Sequence, residues 1–357
     1  MPSKPTPSLA FWLLLWSLLG ASNGALAENV QNLYDVEMDV VSQQNSALKK
    51  AAKSALETVF IRVSGSRSVA DNRQIARAIA NAQQFIKQFQ YRRVNQAGSE
   101  QLQVVIEFEQ TLVDRSLREA GLALWAENRP SVLLWLTVED SKGRRFASED
   151  SDPDIVAAIT DSATRRGLAV KLPLFDLQDA LAVDPDEAWT LNSWRLLSAA
   201  KRYGSDALLL GRFSKLSSGE LLGVWRYQAG ALEKNYRAQS GSAREYIADG
   251  LNVVADLMAS QYAVAPIELA DNGVLMRLTG VENFVDYAAA VAYLEGVASI
   301  RHANIVDLNG DEIILRLSAD GHLSQLRQIF VLDNRLQAAV ESDYAGAHTI
   351  ALDYQWP

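Results

Sequence analysis

The sequence predicts a multidomain protein of mixed α+β and α/β class: a small α+β domain first, a central mixed-sheet α/β domain, and a ferredoxin-like plait at the carboxyl end. Three observations predict this. The chain has 357 residues, and single cores stop growing near roughly 250, so two or three cores are expected. Six of the seven residues from Val132 to Val138 are apolar, bounded by Pro130 and by Glu139 and Asp140, the pattern of a strand buried on both sheet faces. Past Gly273 the apolar periodicity runs strand, helix, strand, strand, helix, the order of a split βαβ unit.

Composition, at 48% hydrophobic and 22% charged, is that of an ordinary globular chain. The first 27 residues differ in kind, with Lys4 their single charge, an apolar run from Leu9 to Leu19, and Ala25-Leu26-Ala27 in the small-x-small pattern. This predicts a secretory signal peptide cut after Ala27 and a periplasmic location. The competing reading, a retained anchor, needs ~20 apolar residues to span a bilayer. No cysteine occurs, which excludes disulfides, thiol nucleophiles, thiolate metal sites and a lipoprotein anchor. Net charge is −9, and the basic clusters Lys49, Lys50, Lys53 and Lys142, Arg144, Arg145 are short and interleaved with acids. Nucleic-acid binding is therefore not expected.

The first domain is expected over residues 28–127. Leu33, Val36, Met38 and Val40 mark a half-buried strand, and Ala47 to Val63 repeat at helical spacing. A helix over Arg73 to Gln88 follows, then FQYRRV and LQVVIEF as a hairpin through NQAGSE, and a helix from Thr111 to Ala120 ended by Gly121.

The central domain is expected over residues 128–262. After the buried strand, Asp152-Pro153 opens a helix closed by Gly167, LAVKLPL is a second strand, and Asp184-Pro185 opens a helical stretch reaching Tyr203. SDALLLGRFS, LLGVWRYQA and a strand ending near Ala238 follow, parallel then antiparallel, and Ser242 with Glu245 caps the last helix. The plait is expected over residues 263–357, its middle hairpin turning at Asn309-Gly310. Tyr287, Val291 and Leu294 face its core.

Chemistry is scarce. The sequence holds no G-x-G-x-x-G, Walker, H-E-x-x-H or G-x-S-x-G motif, so no cofactor is implied. The three histidines, His302, His322 and His348, all lie in the last domain, where no partner motif accompanies them. In open α/β sheets ligands bind beyond the carboxyl ends of strands. There Glu139 and Asp140 follow one strand, and Asp176 and Asp179 another. These acids could converge on a hard cation or a cationic ligand, or they could cap helices and meet water. Arg212 interrupts an apolar strand and must find a carboxylate partner or reach solvent, so a structural ion pair with one of those acids is expected, with an anion-binding role as the rival. Ser64 to Arg67 reads as a loop rather than an anion cradle. Trp125, Trp135, Trp189, Trp194 and Trp225 read as core, with a carbohydrate or peptide platform as the rival.

Arg62–Gly65 (RVSG), RPSVLLWLTVED, Leu172–Asp176 (LPLFD), Arg202–Arg212 (RYGSDALLLGR) and Gly223–Tyr227 (GVWRY), taken in this order, resemble exported proteobacterial proteins of domain-of-unknown-function family 2066. The resemblance implies an exported gammaproteobacterial protein and supplies no activity or site residue. In element order the middle segment is also similar to small α/β domains of periplasmic assembly factors. The expectation is a non-enzymatic protein binding another envelope protein. The alternatives are a metal- or carboxylate-dependent hydrolase at Asp140, Asp176, Asp179 and Arg212, and a small-ligand or glycan binder using Trp189 or Trp194.

Overall fold

The computed structural model of the protein describes residues 28–30, 32–96, 99–191, 193–266, 273–339 and 349–357. The expected signal peptide, the centre of the NQAGSE turn, most of the Pro266–Gly273 joint, His348 and the side chain of Trp194 lie outside the described residues.

The chain is a multidomain α+β protein, as its periodicities predict. In the first domain, β1 (Glu28–Asn29) precedes β2 (Asp35–Asp39), α1 (Asn45–Ser64), α2 (Arg73–Ala80), β3 (Ile86–Gln96), β4 (Ser99–Phe108) and α3 (Gln110–Glu119). The antiparallel order β2-β4-β3 forms a three-stranded sheet, and α1 buries Leu48, Ala52, Leu56, Val59 and Phe60. The second helix is shorter than predicted. The Asn72 side chain caps its start by accepting from Gln74 N at 2.9 Å, the helix ends at Ala80, and Ala82–Phe85 makes a 3₁₀ turn. By Ile86 the chain is already paired with Phe108 of β4, so ladder bonds override the local helical pattern.

In the central domain, β5 (Asn128–Arg129) pairs with β1, and β6 (Ser131–Asp140) and β7 (Gly143–Phe146) form a hairpin. Then come α4 (Pro153–Arg166), β8 (Ala169–Lys171), α5 (Leu177–Ala182), α6 (Pro185–Trp189), α7 (Ser193–Ala200), β9 (Ala207–Lys215), β10 (Leu221–Ala229), β11 (Leu232–Ser240) and α8 (Ala243–Tyr262). The sheet runs β11-β10-β9-β6-β7, with β8 beside the first half of β6. The pairs β6–β8 and β6–β9 are parallel and the others antiparallel.

β6 is buried on both faces, as its apolar run requires. Val132, Leu134, Leu136 and Val138 join the core under α4 and α8, while Leu133 and Trp135 join Val183, Ala188, Leu191 and Leu196 on the other side. Trp225 lies in a notch that exists because Gly211 and Gly250 lack side chains: a Cβ on either would come within 2.4 Å of its ring. Two expectations fail here and one strand was missed. β7 was not foreseen, because its Gly-Arg-Arg-Phe sequence shows no strand alternation. LAVKLPL contributes a strand of only three residues. The stretch from Asp184 to Tyr203 is broken at Leu191, which takes φ +56°, and α5 precedes it.

In the last domain β12 (Val274–Thr279), α9 (Phe284–Gly296), β13 (Ile300–Asn309), β14 (Glu312–Ala319) and α10 (Leu323–Asp333) give the expected βαββα order. Gly310, at φ +64°, makes the predicted Asn-Gly turn. Leu294, Leu326 and Phe330 pack one face of the sheet, with Tyr287 and Val291 partly buried beside them. The sheet order is β13-β14-β12-β16-β15, where β15 is Gln337–Ala338 and β16 is Leu352–Gln355. The last strand runs parallel to β12 and lies between it and β15, an insertion the plait pattern did not predict.

The three domains meet at one crossing. Leu124 N donates to Val264 O at 2.9 Å and Val264 N returns to Leu124 O at 2.8 Å, tying the segment that leaves the first domain to the one that leaves the second. Among the described residues, no helix is long and apolar enough to cross a membrane.

Candidate functional site

The four residues singled out in the sequence do not form one site. Asp140 accepts two bonds from Arg145, at 2.9 and 3.2 Å, and Arg145 also holds Asp152 at 2.6 Å. Hydrogen bonds from Arg145, then from the Lys142 backbone amide, keep the Asp140 carboxyl below its ordinary range. Asp176 caps α5 by accepting from Asp179 N at 3.0 Å and is gripped by Arg202 at 2.7 and 2.9 Å. Asp179, only 2% exposed, accepts from Phe175 N at 2.9 Å, from Arg202 at 3.1 Å and from the Tyr203 hydroxyl. These acids are structural: Asp140 is neutralised by Arg145 of its own hairpin, and Asp176 and Asp179 share Arg202 from the turn that precedes β9. Among the described residues no group of three acids and histidines is placed to hold a metal ion.

Arg212 is a correction. It donates to the Trp189 carbonyl and its guanidinium lies 5.1 Å from the Trp189 ring centre, and it forms no ion pair among the described residues. The nearest acid is already taken, because Glu139 accepts from Arg144 and from Ser214 Oγ, both at 2.6 Å. Those two bonds, Ser214 first, pull the Glu139 carboxyl below its usual range.

Sheet register places Arg212 within a cleft. Across β9, β10 and β11, Arg212 stands opposite Val224 and Val224 opposite Arg237, so two cations flank an aliphatic side chain on one face. The next row is Ser214, Leu222 and Gln239. The helices α5 to α7 cover the β6 side of this face and leave the β10–β11 half open. There Leu222 is 42% exposed. Trp189, at the end of α6, forms the rim and carries Arg144 at 4.3 Å as well as Arg212. The cleft holds about 490 Å³. It lies on the sheet face itself, over the second half of β9 and the adjoining β10 and β11, and not beyond the carboxyl ends of the parallel strands where α/β sheets usually bind ligands. Arg237, Leu222 and Trp189 as a set went unrecognised in the sequence. Their alignment comes from strand register, which no single stretch encodes.

The remaining tryptophans divide. Trp125, Trp135 and Trp225 are fully buried core residues, and Trp189 is the rim residue. His302 and His322 are exposed on β13 and at the start of α10. Ser64–Arg67 is a helix end: Gly65, at φ +73°, caps α1, and its carbonyl accepts from Arg166 at 2.9 Å.

The sequence profile of the family described as Domain of unknown function (DUF8605) matches residues 27–126, the first domain. This overturns the likeness to family 2066. Of the stretches that suggested it, only Arg62–Gly65 lies in the matched segment. The others are a buried strand, a helix opening and a hairpin that many α/β sheets would produce. No curated protein matches the chain. A solved structure described as "Crystal structure of uncharacterized protein" is 12% identical, covers 37% of this chain and 97% of its own, and superposes with a TM-score of 0.15.

Proposed function

We propose that this is an exported, non-enzymatic binding protein of the bacterial periplasm that holds an extended acidic segment of another envelope protein against the open half of its central sheet. One observation carries the reading. Arg212 and Arg237 stand in line across three strands on a face the helices leave bare, and neither is ion-paired among the described residues. Every acid singled out at the strand ends is, by contrast, already neutralised. A protein of net charge −9 thus keeps a local cationic row, and such complementarity selects partners by sign and speeds encounter. The hydrolase alternative loses its footing because Asp140 pairs with Arg145 while Asp176 and Asp179 are held elsewhere by Arg202, so the acids do not share one open site. A glycan platform would need an open indole face, and Trp189 carries two guanidinium groups. Cross-linking in native envelopes, comparing the wild type with Arg212→Glu/Arg237→Glu, tests the proposal. A specific partner that disappears in the variant is expected, and an unchanged partner set overturns the role of this face.

A further inference from the structure

The central sheet ends at β11, and among the described residues no strand pairs with its outer edge. An open strand edge is a row of unpaired backbone donors and acceptors, which folded proteins ordinarily blunt with proline, bulges, short length or charge. β11 carries few of these devices. It has nine residues and no proline, and its ladder with β10 runs from Leu232 to Ser240 without a register shift. The outer strand β13 of the last sheet is by contrast interrupted twice, and β7, at the opposite edge of the central sheet, has four residues.

The side chains along β11 are complementary to themselves. When a strand pairs antiparallel with its own copy about a two-fold axis, residues equally far on either side of the central one stand opposite each other, with their side chains on the same face. With Asn235 at the centre, Glu233 of each copy falls opposite Arg237 of the other, Lys234 opposite Tyr236, and Leu232 opposite Ala238. Moving the centre to Lys234 or to Tyr236 separates Glu233 from Arg237 and sets Lys234 against itself or against Ala238. Both members of the matching pair are available. Arg237 is exposed and has no ion pair within one copy among the described residues. Glu233 accepts from Arg226 and from Asn235 at Oε1, and Oε2 takes no bond among the described residues.

We propose that β11 pairs edge to edge with β11 of a second copy of this chain, antiparallel and centred on Asn235, so that the two central sheets continue as one. Backbone ladder bonds supply the attraction, and the two Glu233–Arg237 pairs fix the register. The dimer forms without the acidic envelope partner. It also keeps the charge on which that partner would dock, since on β9, β10 and β11 each copy still sets Arg212, Arg226 and Arg237 against Glu233 on the open face.

Sedimentation equilibrium of the purified chain tests this. The wild type should dimerise reversibly, and Glu233→Arg and Arg237→Glu alone should each weaken the dimer by about tenfold or more. Mixing those two variants should restore it, because every opposed pair in the mixed dimer is again Glu against Arg. The double swap Glu233→Arg/Arg237→Glu should restore it within one chain. Arg212→Glu should dimerise as the wild type does, so the dimer and the acidic-partner reading fail separately. The sequence has no cysteine, and opposed antiparallel residues bring their Cα atoms to about 4.5–5.5 Å, within reach of a disulfide. Asn235→Cys treated with diamide should therefore give an interchain disulfide, whereas Gln239→Cys, which falls opposite Ala231, should not. A monomer at every concentration, a dimer indifferent to the charge reversals or weakened as much by Arg212→Glu, single variants that do not recover on mixing, or cross-linking at 239 as fast as at 235 overturns the proposal.

Discussion

Arg129 Nη2 donates to the carbonyl oxygen of Arg62 at 2.9 Å. A cation at the start of the central domain thus ends inside the longest helix of the first. The same guanidinium donates to the carbonyls of Trp125, Ala126, Arg166 and Gly167. Arg62 in turn donates to the carbonyls of Asn32, Leu33 and Asp35. Burial, then the like charge of Arg62, pushes Arg129 down to about 9, still above neutral pH, so the charge persists where the carbonyl dipoles converge. The first two domains are thereby welded into one body.

Arg129→Met should destabilise the protein by about 3–5 kcal/mol, because five carbonyls lose their shared donor at a fully buried site. Arg129→Lys should recover only part of this, since an ammonium offers three donors without the planar fork. Urea unfolding followed by tryptophan fluorescence checks both. Stability within 1 kcal/mol of the wild type for Arg129→Met, small against the ~3 expected, would remove the weld.

Gly167 carries the same junction from the other side. It has φ +63°, and a Cβ would lie 2.5 Å from Arg62 Cγ and 2.6 Å from Arg129 Nη1. Gly121 has a similar φ, +70°, but open space around it. Gly121→Ala should cost only the left-handed strain, about 1 kcal/mol, whereas Gly167→Ala should cost about 3 kcal/mol or more because the guanidinium stack must also move. Parallel thermal and urea melts of the two variants measure the difference.

This junction explains which parts of the fold the sequence reveals. Val132–Val138 announces its two-sided burial because apolar residues at consecutive positions leave no other reading. Arg62 and Arg129 look like surface charges, since an arginine satisfied by carbonyls needs no acid at a recognisable spacing. β7 is hidden for a related reason: Arg144 and Arg145 alternate only in the company of Glu139 and Asp140 across the hairpin. The acids at the strand ends were legible as residues, but their dispersion into separate ion pairs was not, because loop paths decide it. The cationic row is a product of register between β9, β10 and β11.

Two carboxylates should titrate with opposite displacement. Burial raises Asp114 above its ordinary value of 3.8, against the bond from Tyr34 at 2.9 Å. Its stabilising form is the protonated one, so that contribution is complete below 3.8 and lost as pH rises through the folded value. Hydrogen bonds from Arg202 hold Asp176 well below 3.8, so its contribution is present above that pH and lost as pH falls through the folded value. Asp114→Asn should therefore raise the neutral-pH urea midpoint relative to the wild type while converging with it in acid. Asp176→Asn should lower the neutral midpoint and flatten the acid limb. Urea midpoints from pH 2.5 to 8 and carbon-detected carboxyl titrations give the signs directly.

If the leader is cut after Ala27, the exported protein begins at Glu28, whose backbone already pairs with Arg129. Intact-mass measurement of the periplasmic fraction should then match residues 28–357. A mass including residues 1–27 would indicate a retained anchor, and recovery only from cytosol would remove the envelope reading.

The two arginines of the open sheet face should fail differently. Arg237 is exposed on the outer strand β11, so Arg237→Glu should chiefly slow association with an acidic partner and reduce the dependence on salt, as rim charges do. Arg212 is partly buried and anchored through the Trp189 carbonyl and ring. Its loss leaves an orphaned acceptor and a loosened rim, so Arg212→Ala should chiefly raise the dissociation rate, at a cost of about 2 kcal/mol or more. Trp189→Ala should copy Arg212→Ala while Arg237 stays intact, because Trp189 fixes where that guanidinium points. Surface-plasmon kinetics at two salt concentrations, with the captured partner or with a poly-glutamate peptide in its place, separate the rates. If all three variants change only association, Trp189 and Arg212 act as bulk charge rather than as a shaped site.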